Sequence, residues 1–414
     1  MLEKFSSGIL KVDPDTYKEK WMLQSDIAYL NHGSFGATPK QLLAHQQELQ
    51  RKMESEPVQF MMETYPKAQW EAKIALGKLV QANPEDIALI ENATSGVNAV
   101  LRSIDFHEGD EVLFVDQVYG ACRTAARQIV EKQGGVCRSI EMRYPISDSE
   151  EITKAVCEAW SSKVKLLLFD QICSPTGWVL PAEKIVEFYE SRGTMVLVDG
   201  AHCVGQIPLR LHHLGASFYV SNAHKWLCAP KGVAFLYARK DRQNFLYPTT
   251  LSHHANYDDS ENKEPSLSRF QLAFSWTGTR DPTAFMSLSQ SISFMESLHP
   301  EGLDGLMREN SFRARKFAQF LRAVLGEELL VPETMIGSMC SIFLPEGIDL
   351  SEVAQESLIF GQDPLWLLLY KKYGIEAMVL PFQGRRLLRV SIQAYVTDDD
   401  LNRLVGALGE LLKK

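Results

Sequence analysis

The sequence predicts an α/β protein in which a mostly parallel sheet lies between helices, followed by a second, smaller α+β domain. Short apolar, β-branched runs alternate with longer stretches of helical periodicity through most of the chain of 414 residues. This alternation is typical of a parallel sheet flanked by helices. Beyond Pro282 the pattern changes to long helices with few strands. We therefore expect an N-terminal arm over residues 1–38 that packs near the active site, a large domain over 39–283 and a small C-terminal domain over 284–414.

The individual elements follow from the same patterns, in chain order. In the large domain, apolar runs predict strands at residues 87–90, 111–115, 164–169, 195–198, 218–220 and 232–237. Helical periodicity predicts helices at residues 95–102, 120–133, 149–161 and 182–192. The polar, acidic stretch 253–265 is interpreted as a loop or mobile cover. In the small domain we predict helices at residues 284–298, 302–325 and 398–412 and strands at 338–344 and 387–391. Ligands of open α/β sheets gather at the carboxyl ends of the strands, so the chemistry is expected there.

Composition excludes several classes of function. The formal charge of −9 opposes capture of nucleic acid or anionic membranes. Seven scattered cysteines without a CxxC pair indicate a reducing compartment, and no apolar run reaches membrane length, so we predict a cytoplasmic protein. The paired histidines at 212–213 and 253–254 lack metal-ligand spacing, so no metal is predicted. Dinucleotide-binding and P-loop fingerprints are absent from the sequence.

Two polar clusters that follow predicted strands carry the strongest chemical signal. They are Val-Asp-Gly-Ala-His at 198–202 and Ser-Asn-Ala-His-Lys-Trp at 221–226. An aldehyde cofactor needs an amine that is often deprotonated and a carboxylate that keeps its pyridine nitrogen protonated. Lys225 and Asp199 could supply these two groups from adjacent strand ends. Taken singly, the lysine would be a solvated surface residue and the aspartate a turn or cap, and only the pairing favours catalysis.

Together with three further segments, these clusters resemble the class V aminotransferase family of pyridoxal-phosphate (PLP) enzymes. The segments are Tyr-Leu-Asn-His-Gly-Ser at 29–34, Trp-Thr-Gly-Thr-Arg-Asp at 276–281 and Arg-Val-Ser at 389–391. Within the family, the set looks most like the isopenicillin N epimerase-like branch. The resemblance covers nearly the whole chain. It implies PLP fold type I with a seven-stranded sheet, pyridoxal 5′-phosphate as the cofactor and a homodimer with shared active sites.

The resemblance assigns catalytic roles to four residues. Lys225 would carry the cofactor as a Schiff base and later move the proton of the substrate α-carbon. Asp199 would pair with the pyridinium nitrogen, and His202 would lie beside the phenolic oxygen of the ring. Tyr119 matches the aromatic residue that stacks on the ring, although a half-buried packing tyrosine is an equally good interpretation of its position in the sequence.

Five residues match positions that contact the cofactor phosphate in relatives. Thr94 and Ser95 stand where a strand turns into a helix, whose free N–H groups and dipole suit a phosphate, although a simple N-cap is the alternative. Asn222 and His224 flank the lysine on the phosphate side, and some relatives have Ser in place of Asn222. Thr279 matches a residue that reaches the phosphate of the neighbouring subunit, or else it belongs to an ordinary turn.

The remaining site residues concern the substrate. Arg389 matches the arginine that grips a substrate carboxylate, with a strand salt bridge as the alternative. Asn31 and His32 are expected to contact substrate, and His32 or Tyr119 would supply the second acid that a two-base epimerisation needs. Ser174 stands where relatives often have Asn to contact the phenolic oxygen, and this difference weakens that contact.

The sequence leaves several reactions open. The leading hypothesis is an isopenicillin N epimerase-like enzyme that acts at the α-carbon of an amino acid or small peptide. A C–S lyase, an aminotransferase and a catalytically silent PLP-binding protein are the alternatives. Cysteine desulfurases place a nucleophilic cysteine shortly before the substrate arginine, but this sequence has none between Ser351 and Arg389. Cys340 lies in a predicted strand and is interpreted as a core residue.

Overall fold

The computed structural model of the chain describes residues 4–8, 10–11, 13–255, 267–348, 350 and 363–412. The described strands are β1 (Ala28–Tyr29), β2 (Ile87–Ile90), β3 (Glu111–Val115), β4 (Val136–Ile140), β5 (Val164–Asp170), β6 (Met195–Asp199), β7 (Phe218–Ser221), β8 (Ala234–Ala238), β9 (Met339–Phe343), β10 (Ile375–Glu376), β11 (Met378–Phe382) and β12 (Arg385–Ser391). The helices of the first half are α1 (Pro14–Lys18), α2 (His32–Phe35), α3 (Lys40–Ser55), α4 (Pro57–Gln59), α5 (Tyr65–Val80), α6 (Ala93–Ser103), α7 (Gly120–Val130), α8 (Ser149–Glu158) and α9 (Ala182–Glu190). The later helices are α10 (Leu211–Leu214), α11 (Ala223–Trp226), α12 (Arg269–Ser275), α13 (Thr283–Met286), α14 (Leu288–Ser297), α15 (Gly302–Leu325), α16 (Pro364–Tyr373) and α17 (Asp398–Leu411).

A seven-stranded sheet forms the centre of the large domain, in the order β2-β8-β7-β6-β5-β3-β4. All neighbouring strands pair in parallel except β8, which runs antiparallel to β2 and β7. The central strands β5, β6 and β7 are buried on both faces along nearly their whole length. Two hydrophobic clusters cover the two faces of this sheet. This arrangement confirms the predicted α/β class and the mostly parallel sheet.

The six strands predicted for the large domain are all present, whereas β4 was missed. Five of the six begin at the predicted residue, and β8 begins two residues later than predicted. Strand β4 pairs only with β3 and lies at the edge of the sheet, where four of its five residues are exposed or partly exposed. Its sequence, Val-Cys-Arg-Ser-Ile, therefore lacks the apolar run that marks a buried strand.

The smaller unit contains an antiparallel sheet of three strands in the order β11-β12-β9, as an α+β domain requires. The predicted helix 284–298 is divided into α13 and α14 at Ser287. Helix α15 has the predicted bounds, and α17 ends one residue before its predicted end. Of the predicted loop 253–265, residues 256–265 lie outside the described part of the chain.

The N-terminal segment contacts the C-terminal part of the chain. Strand β1 pairs in parallel with β10 to form a small separate sheet. The Ser7 hydroxyl and backbone N–H both hydrogen-bond to the Asp398 carboxylate in the first turn of α17. The segment that follows β1 contacts α11 of the large domain, where His32 hydrogen-bonds to the Lys225 carbonyl. No helix in the described ranges combines the length and the apolar character needed to cross a membrane.

Candidate active site

The polar residues of the site lie at the carboxyl ends of neighbouring parallel strands. Strands β5, β6 and β7 end at Asp170, Asp199 and Ser221, and Asp170 stands opposite Asp199 in the register of the sheet. Helix α6 begins after β2, and helix α7 begins after β3, at the same edge. The main-chain topology therefore gathers these side chains around one location, as the sequence predicted from the ends of its strands.

Lys225 lies on the short helix α11 and is partly buried beside His202. The Lys225 Nζ atom is 3.1 Å from His202 Nε2. On the other side of the imidazole, the Trp226 indole N–H donates to His202 Nδ1 at 3.5 Å. Because Nδ1 accepts this bond, the ring proton of the neutral imidazole belongs on Nε2, facing Lys225. Burial lowers the pKa of His202 well below its usual value, which keeps the ring neutral.

The Lys225 amine is prepared to lose its proton. Burial, with the nearby Arg389 charge as the next contribution, lowers the pKa of Lys225 from 10.5 to about 8, and the carboxylates of Asp199 and Asp170 oppose this shift. Neutral amine is therefore available near physiological pH, as a nucleophilic or proton-accepting lysine requires. A solvated surface lysine, the alternative interpretation of the sequence, has neither this burial nor this shift.

Asp199 and Asp170 form a buried carboxylate pair. Asp199 Oδ1 accepts from the Ala201 N–H at 2.9 Å, and its Oδ2 accepts from the Cys122 thiol at 3.4 Å. Burial raises the pKa of both carboxyls, and the neighbouring Asp199 charge raises that of Asp170 further. Two neighbouring buried carboxyl groups do not ionise together easily, because each negative charge disfavours the other. We therefore assign the proton to Asp170 and the negative charge to Asp199. Asp170 was not among the site residues predicted from the sequence, although Asp170 ends β5 just as Asp199 ends β6.

The start of helix α6 presents backbone N–H groups close to Lys225. The Asn92 side chain caps the helix by accepting from the Ser95 N–H at 2.8 Å. Asn222, three residues before Lys225, accepts from the Ala93 N–H at 2.8 Å through its Oδ1 atom. The half-buried Thr94 and Ser95 add hydroxyl groups to this first turn. A helix of eleven residues beginning here favours an anionic group.

His224 contributes less directly to this side of the site. Its Nδ1 donates to the Val233 carbonyl at 2.9 Å. Burial lowers the pKa of His224 to about 4, so the ring is neutral and one nitrogen already has a structural partner. Its other nitrogen has no hydrogen bond to any residue in the described ranges. A contact with a phosphate through that nitrogen remains a prediction.

Tyr119 stands at the opening of the site as the N-cap residue of α7. Its backbone N–H donates to Asp170 Oδ1 at 3.2 Å, which attaches the Tyr119 turn to the end of β5. The side chain is 46% exposed, unlike the other aromatic groups at this edge of the sheet, so its ring is free to lie against a bound molecule. Burial raises the pKa of the phenol, which therefore keeps its proton at neutral pH.

Arg389 is a buried cation whose partners are neutral. Its guanidinium donates to the Ser174 carbonyl, to Asn31 Oδ1 at 3.3 Å and to Ser34 Oγ at 3.1 Å. No carboxylate of the described residues lies within ion-pair distance, and its buried Nε atom has no hydrogen-bond partner. Burial lowers the pKa of Arg389 to about 10, a value at which it is still charged. A buried charge without a counter-ion suits an anionic ligand better than the strand salt bridge that the sequence left open.

Ser174 and Asn31 contact this arginine, whereas His32 lies elsewhere. Ser174 does so through its backbone carbonyl, and its expected contact with a phenolic oxygen stays a prediction. His32 is fully buried behind Lys225. Its Nε2 donates to the Lys225 carbonyl at 2.9 Å, so its Nδ1 accepts from the Tyr395 hydroxyl at 2.8 Å. Burial lowers the pKa of His32 to about 3. This geometry differs from the substrate contact and acid role expected from the sequence and favours a role in positioning Lys225.

Thr279 is exposed on the loop that follows α12. The next residue, Arg280, forms an ion pair with Glu91, which immediately precedes the Asn92 cap of α6. The loop that carries Thr279 is thus attached near the start of α6 within one chain. Its predicted contact with a cofactor in a neighbouring subunit remains a prediction. No group of residues suited to hold a metal ion occurs in the described ranges.

The chain is similar to known proteins over nearly its whole length. The family model for class-V aminotransferases matches residues 28–404. The chain is 31% identical to isopenicillin N epimerase of Amycolatopsis lactamdurans, with 96% of this chain and 98% of that protein covered. It is 29% identical to isopenicillin N epimerase of Streptomyces clavuligerus, over the same shares of the two chains. It is 27% identical to a probable chloroplastic L-cysteine desulfhydrase of Arabidopsis thaliana, over 94% of this chain and 83% of that protein.

Solved structures show the same fold. A mutant of C-DES with glycine covalently linked to the PLP cofactor superposes with a TM-score of 0.80 at 17% identity, covering 95% of this chain and 99% of that one. The complex of the cystine C–S lyase C-DES with its reaction product cysteine persulfide gives a TM-score of 0.77 at 18% identity, covering 94% of this chain and 98% of that one. At these identities the similarity supports the fold and leaves the reaction open.

Proposed function

The chain belongs to the class-V aminotransferase family, and on that premise we propose that it removes the α-proton of an amino acid or small peptide with a free α-amino group. One observation carries the proposal. The Lys225 amine, whose pKa burial lowers to about 8, lies at the same buried strand ends as the Asp199 carboxylate. A neutral amine at this position is what both the attachment of an aldehyde cofactor and the removal of a proton require.

Membership of this family implies pyridoxal 5′-phosphate as the cofactor. The residues fit this molecule by the chemistry of their donors. Lys225 would bind it covalently, Asp199 would face its ring nitrogen, and the α6 N-terminus with Asn222 would hold its phosphate. The buried Nε of Arg389 has no hydrogen-bond partner, which supports a role for this residue in binding a substrate carboxylate. When bound, PLP supplies an electron-withdrawing ring that weakens the bonds at the substrate α-carbon.

Lys225 is the base in this proposal. The neutral amine accepts the α-proton, and the pKa of about 8 lets it return a proton at the same pH. His202 donates its Nε2 proton toward the lysine end of the site, and Trp226 fixes the tautomer from the opposite side of the imidazole. His32 holds the Lys225 main chain through the Lys225 carbonyl. The side chains of His202, Trp226 and His32 therefore restrict, directly or through one another, where the Lys225 amine can move.

Arg389 and its neighbours orient the substrate. Its guanidinium is already fixed by the Ser174 carbonyl, Asn31 and Ser34, so it loses little further freedom when it binds a carboxylate. Asp199 remains charged at the ring end, because Asp170 takes the proton that the buried pair shares. Holding the carboxylate at one end and the ring at the other leaves the α-carbon beside Lys225.

For the outcome after proton removal we propose epimerisation first. The two isopenicillin N epimerases at 29% and 31% identity, which match nearly the whole chain, support it. Epimerisation by two bases needs an acid on the face opposite Lys225. His32 is buried with both nitrogens engaged, whereas Tyr119 has a partly exposed, protonated phenol. Tyr119 is therefore the second acid in this proposal.

The second candidate is a C–S lyase, which expels a β-substituent and needs no second acid. The similarity to a probable L-cysteine desulfhydrase over 94% of this chain favours it. A persulfide carried on the protein itself has less support, because burial raises the pKa of all seven cysteine thiols. Cys340 is among them, buried in β9 and with its pKa raised to about 12.

A panel of L-amino acids incubated with the holoenzyme in deuterated water tests the proposal. Loss of the α-proton signal by NMR reports the step that both candidates share. Chiral chromatography, keto-acid analysis and sulfide detection on the same samples separate them. A D-amino acid identifies epimerisation, pyruvate with sulfur release identifies the lyase, and another keto acid identifies transamination.

The control is a Lys225→Ala variant, which we expect to exchange no α-proton. A holoenzyme whose cofactor absorbance changes with amino acids, but which exchanges no α-proton with any of them, would contradict the proposal. That result would instead identify a catalytically silent binding protein.

A further inference from the structure

A cavity of about 420 Å³ lies between the N-terminal segment and helix α16. Met22 and Tyr29 line one side of it, and Trp366 and Tyr370 of α16 line the other. The volume lies within the ~300–1,000 Å³ typical of small-molecule sites. None of the residues proposed to hold the cofactor lines it. Asn31, which contacts the substrate arginine Arg389, does line it. The cavity therefore adjoins the candidate active site at Asn31 and is open to solvent at Met22 and Phe35.

Hydrogen bonds connect this cavity directly to the substrate arginine. Arg389 Nη2 donates to Asn31 Oδ1 at 3.3 Å, and Asn31 Nδ2 donates to Glu376 Oε1 at 2.8 Å. Both Asn31 and Glu376 line the cavity. Phe35, which also lines it, follows Ser34, a second partner of Arg389. Arg389 and the cavity therefore share Asn31 as a common neighbour.

Among the described residues that line the cavity, Glu376 is the only acidic or basic one. One carboxylate oxygen, Oε1, accepts from both Asn31 and the Trp366 indole N–H, the latter at 2.9 Å. Across the described ranges, no donor is within hydrogen-bond distance of Oε2, and no lysine, arginine or histidine is within ion-pair distance of the carboxylate. The negative charge therefore lacks a counter-ion and faces the cavity.

Aromatic groups surround this carboxylate. The rings of Trp366 and Tyr370 lie one helical turn apart, 6.3 Å between centroids and 15° from parallel. The Tyr29 ring lies opposite, and Phe35 is largely exposed at the rim. Aromatic faces attract cations, and the attraction is strongest where water is excluded. A carboxylate among aromatic rings therefore favours a positively charged group and repels an acidic one.

We propose that this cavity receives the end of the substrate side chain, and that the substrates are amino acids whose long side chain ends in an ammonium or quaternary ammonium group. The inference rests on the proposed function, because it takes the carboxylate of the same substrate to be bound by Arg389. Asn31 links the two binding groups: its amide oxygen accepts from Arg389, and its amide nitrogen donates to Glu376.

Three cysteine derivatives with equally long side chains test the proposal on the holoenzyme. They are S-(trimethylammonioethyl)-L-cysteine, its neutral carbon isostere S-(dimethylbutyl)-L-cysteine, and the acidic S-carboxyethyl-L-cysteine. Binding is measured by titration of the cofactor absorbance, and turnover by kcat/KM. We expect the cationic compound to bind about tenfold or more tightly than its isostere, and the acidic compound to bind most weakly.

Two pairs of variants assign the preference to the cavity. In Glu376→Gln, an amide oxygen still accepts from Asn31 and Trp366, and the preference for the cation over its isostere should fall toward one. The exposed Glu19→Gln is the charge-matched control and should keep the preference. Tyr370→Leu should reduce the preference, whereas Tyr370→Phe, which keeps the ring, should preserve most of it.

Equal binding of the cationic compound and its isostere would overturn the inference, as would a preference that survives Glu376→Gln. Tetramethylammonium that binds without competing with amino acids would also overturn it, by identifying a separate effector site. Failure of the proposed function looks different. In that case no amino acid, whatever its side chain, loses its α-proton, while the binding titration still decides whether the cavity selects cations.

Discussion

At the scale of single residues, the site depends on two ionisable groups, Lys225 and Asp199, whose neighbours set their charge. Lys225 loses its proton easily because burial and Arg389 disfavour its charged form. Asp199 keeps its charge because its partner Asp170 takes the proton of the pair. The sequence identified Lys225 and Asp199 from their places after strands. It did not identify Asp170, because a single aspartate at the end of a strand has no distinguishing pattern until the neighbouring strand is known.

Replacement of Asp199 by asparagine tests the role of its charge. Asparagine keeps the shape and can still accept from the Ala201 N–H, but it provides no negative charge to hold a proton on a ring nitrogen. We expect kcat to fall by about 100-fold or more, measured as α-proton exchange. The control is Asp110→Asn, which should have nearly wild-type activity. Asp110 lies just before β3, at the end of that strand away from the site, and pairs with Lys165. An active Asp199→Asn enzyme would remove this residue from the mechanism.

The pKa of Lys225 predicts how the apoprotein takes up its cofactor as pH changes. Burial lowers the pKa of this amine, so the neutral form predominates above about pH 8 and not only above 10.5. Only the neutral amine attacks a carbonyl. The rate of cofactor uptake, followed by absorbance after stopped-flow mixing, should therefore rise with pH around a midpoint near 8. A midpoint near 10.5, the ordinary value for lysine, would show that the amine is solvated.

At the scale of elements, strands with buried apolar side chains were predictable, whereas a polar strand and very short strands were not. Strand β4 lies at the sheet edge, and its polar residues hide it in the sequence. Strands β1 and β10 have two residues each, and nothing in so short a stretch predicts that they pair. The cavity beside Glu376 depends on that pairing, because Tyr29 of β1 stands opposite Glu376 of β10. Residues far apart in sequence thus form a surface that periodicity alone does not reveal.

The turn after α2 shows how closely two elements approach at the site. Gly36 has φ of +69°, and a Cβ added to it would lie 2.1 Å from the His224 carbonyl oxygen, beside Lys225. Gly36→Ala should therefore strain the backbone and displace α11, lowering the free energy of unfolding by about 1–3 kcal/mol and weakening cofactor binding. Chemical denaturation and cofactor titration measure the two effects.

Gly109→Ala is the matched control for this substitution. Gly109 also has positive φ, +93°, but a Cβ there meets no atom within 4 Å. It should lose stability from the backbone conformation alone and retain cofactor affinity. Equal loss of cofactor affinity in both variants would show that the approach of Gly36 to α11 does not matter to the site.

At the scale of the whole molecule, the resemblance implies a dimer whose sites are shared through Thr279. Exposed apolar side chains occur at Val58 on α4, at Met62 on the π-helix Phe60–Thr64 that follows it, and at Ile74 on α5. Such a group of apolar side chains commonly marks a protein interface. Light scattering on the purified protein should give twice the mass of one chain.

Mixed dimers test whether Thr279 acts across the interface. We expect Thr279→Ala and Lys225→Ala homodimers to be impaired and inactive, respectively. If Thr279 serves the partner's cofactor, a dimer of one chain of each variant contains one site with both native residues. After mixing, each dimer that contains one chain of each variant should then have up to half the activity of a wild-type dimer. No gain on mixing, despite subunit exchange, would show that Thr279 serves its own chain or no cofactor.

The most direct test of the central claim is to find which residue holds the cofactor. The holoenzyme is reduced with borohydride, digested, and mapped by mass spectrometry. We predict a pyridoxyl phosphate label on Lys225, retained in a Lys231→Arg variant and lost in Lys225→Arg. A label on another lysine, or a reduced holoenzyme with Lys225 unmodified, would contradict the account.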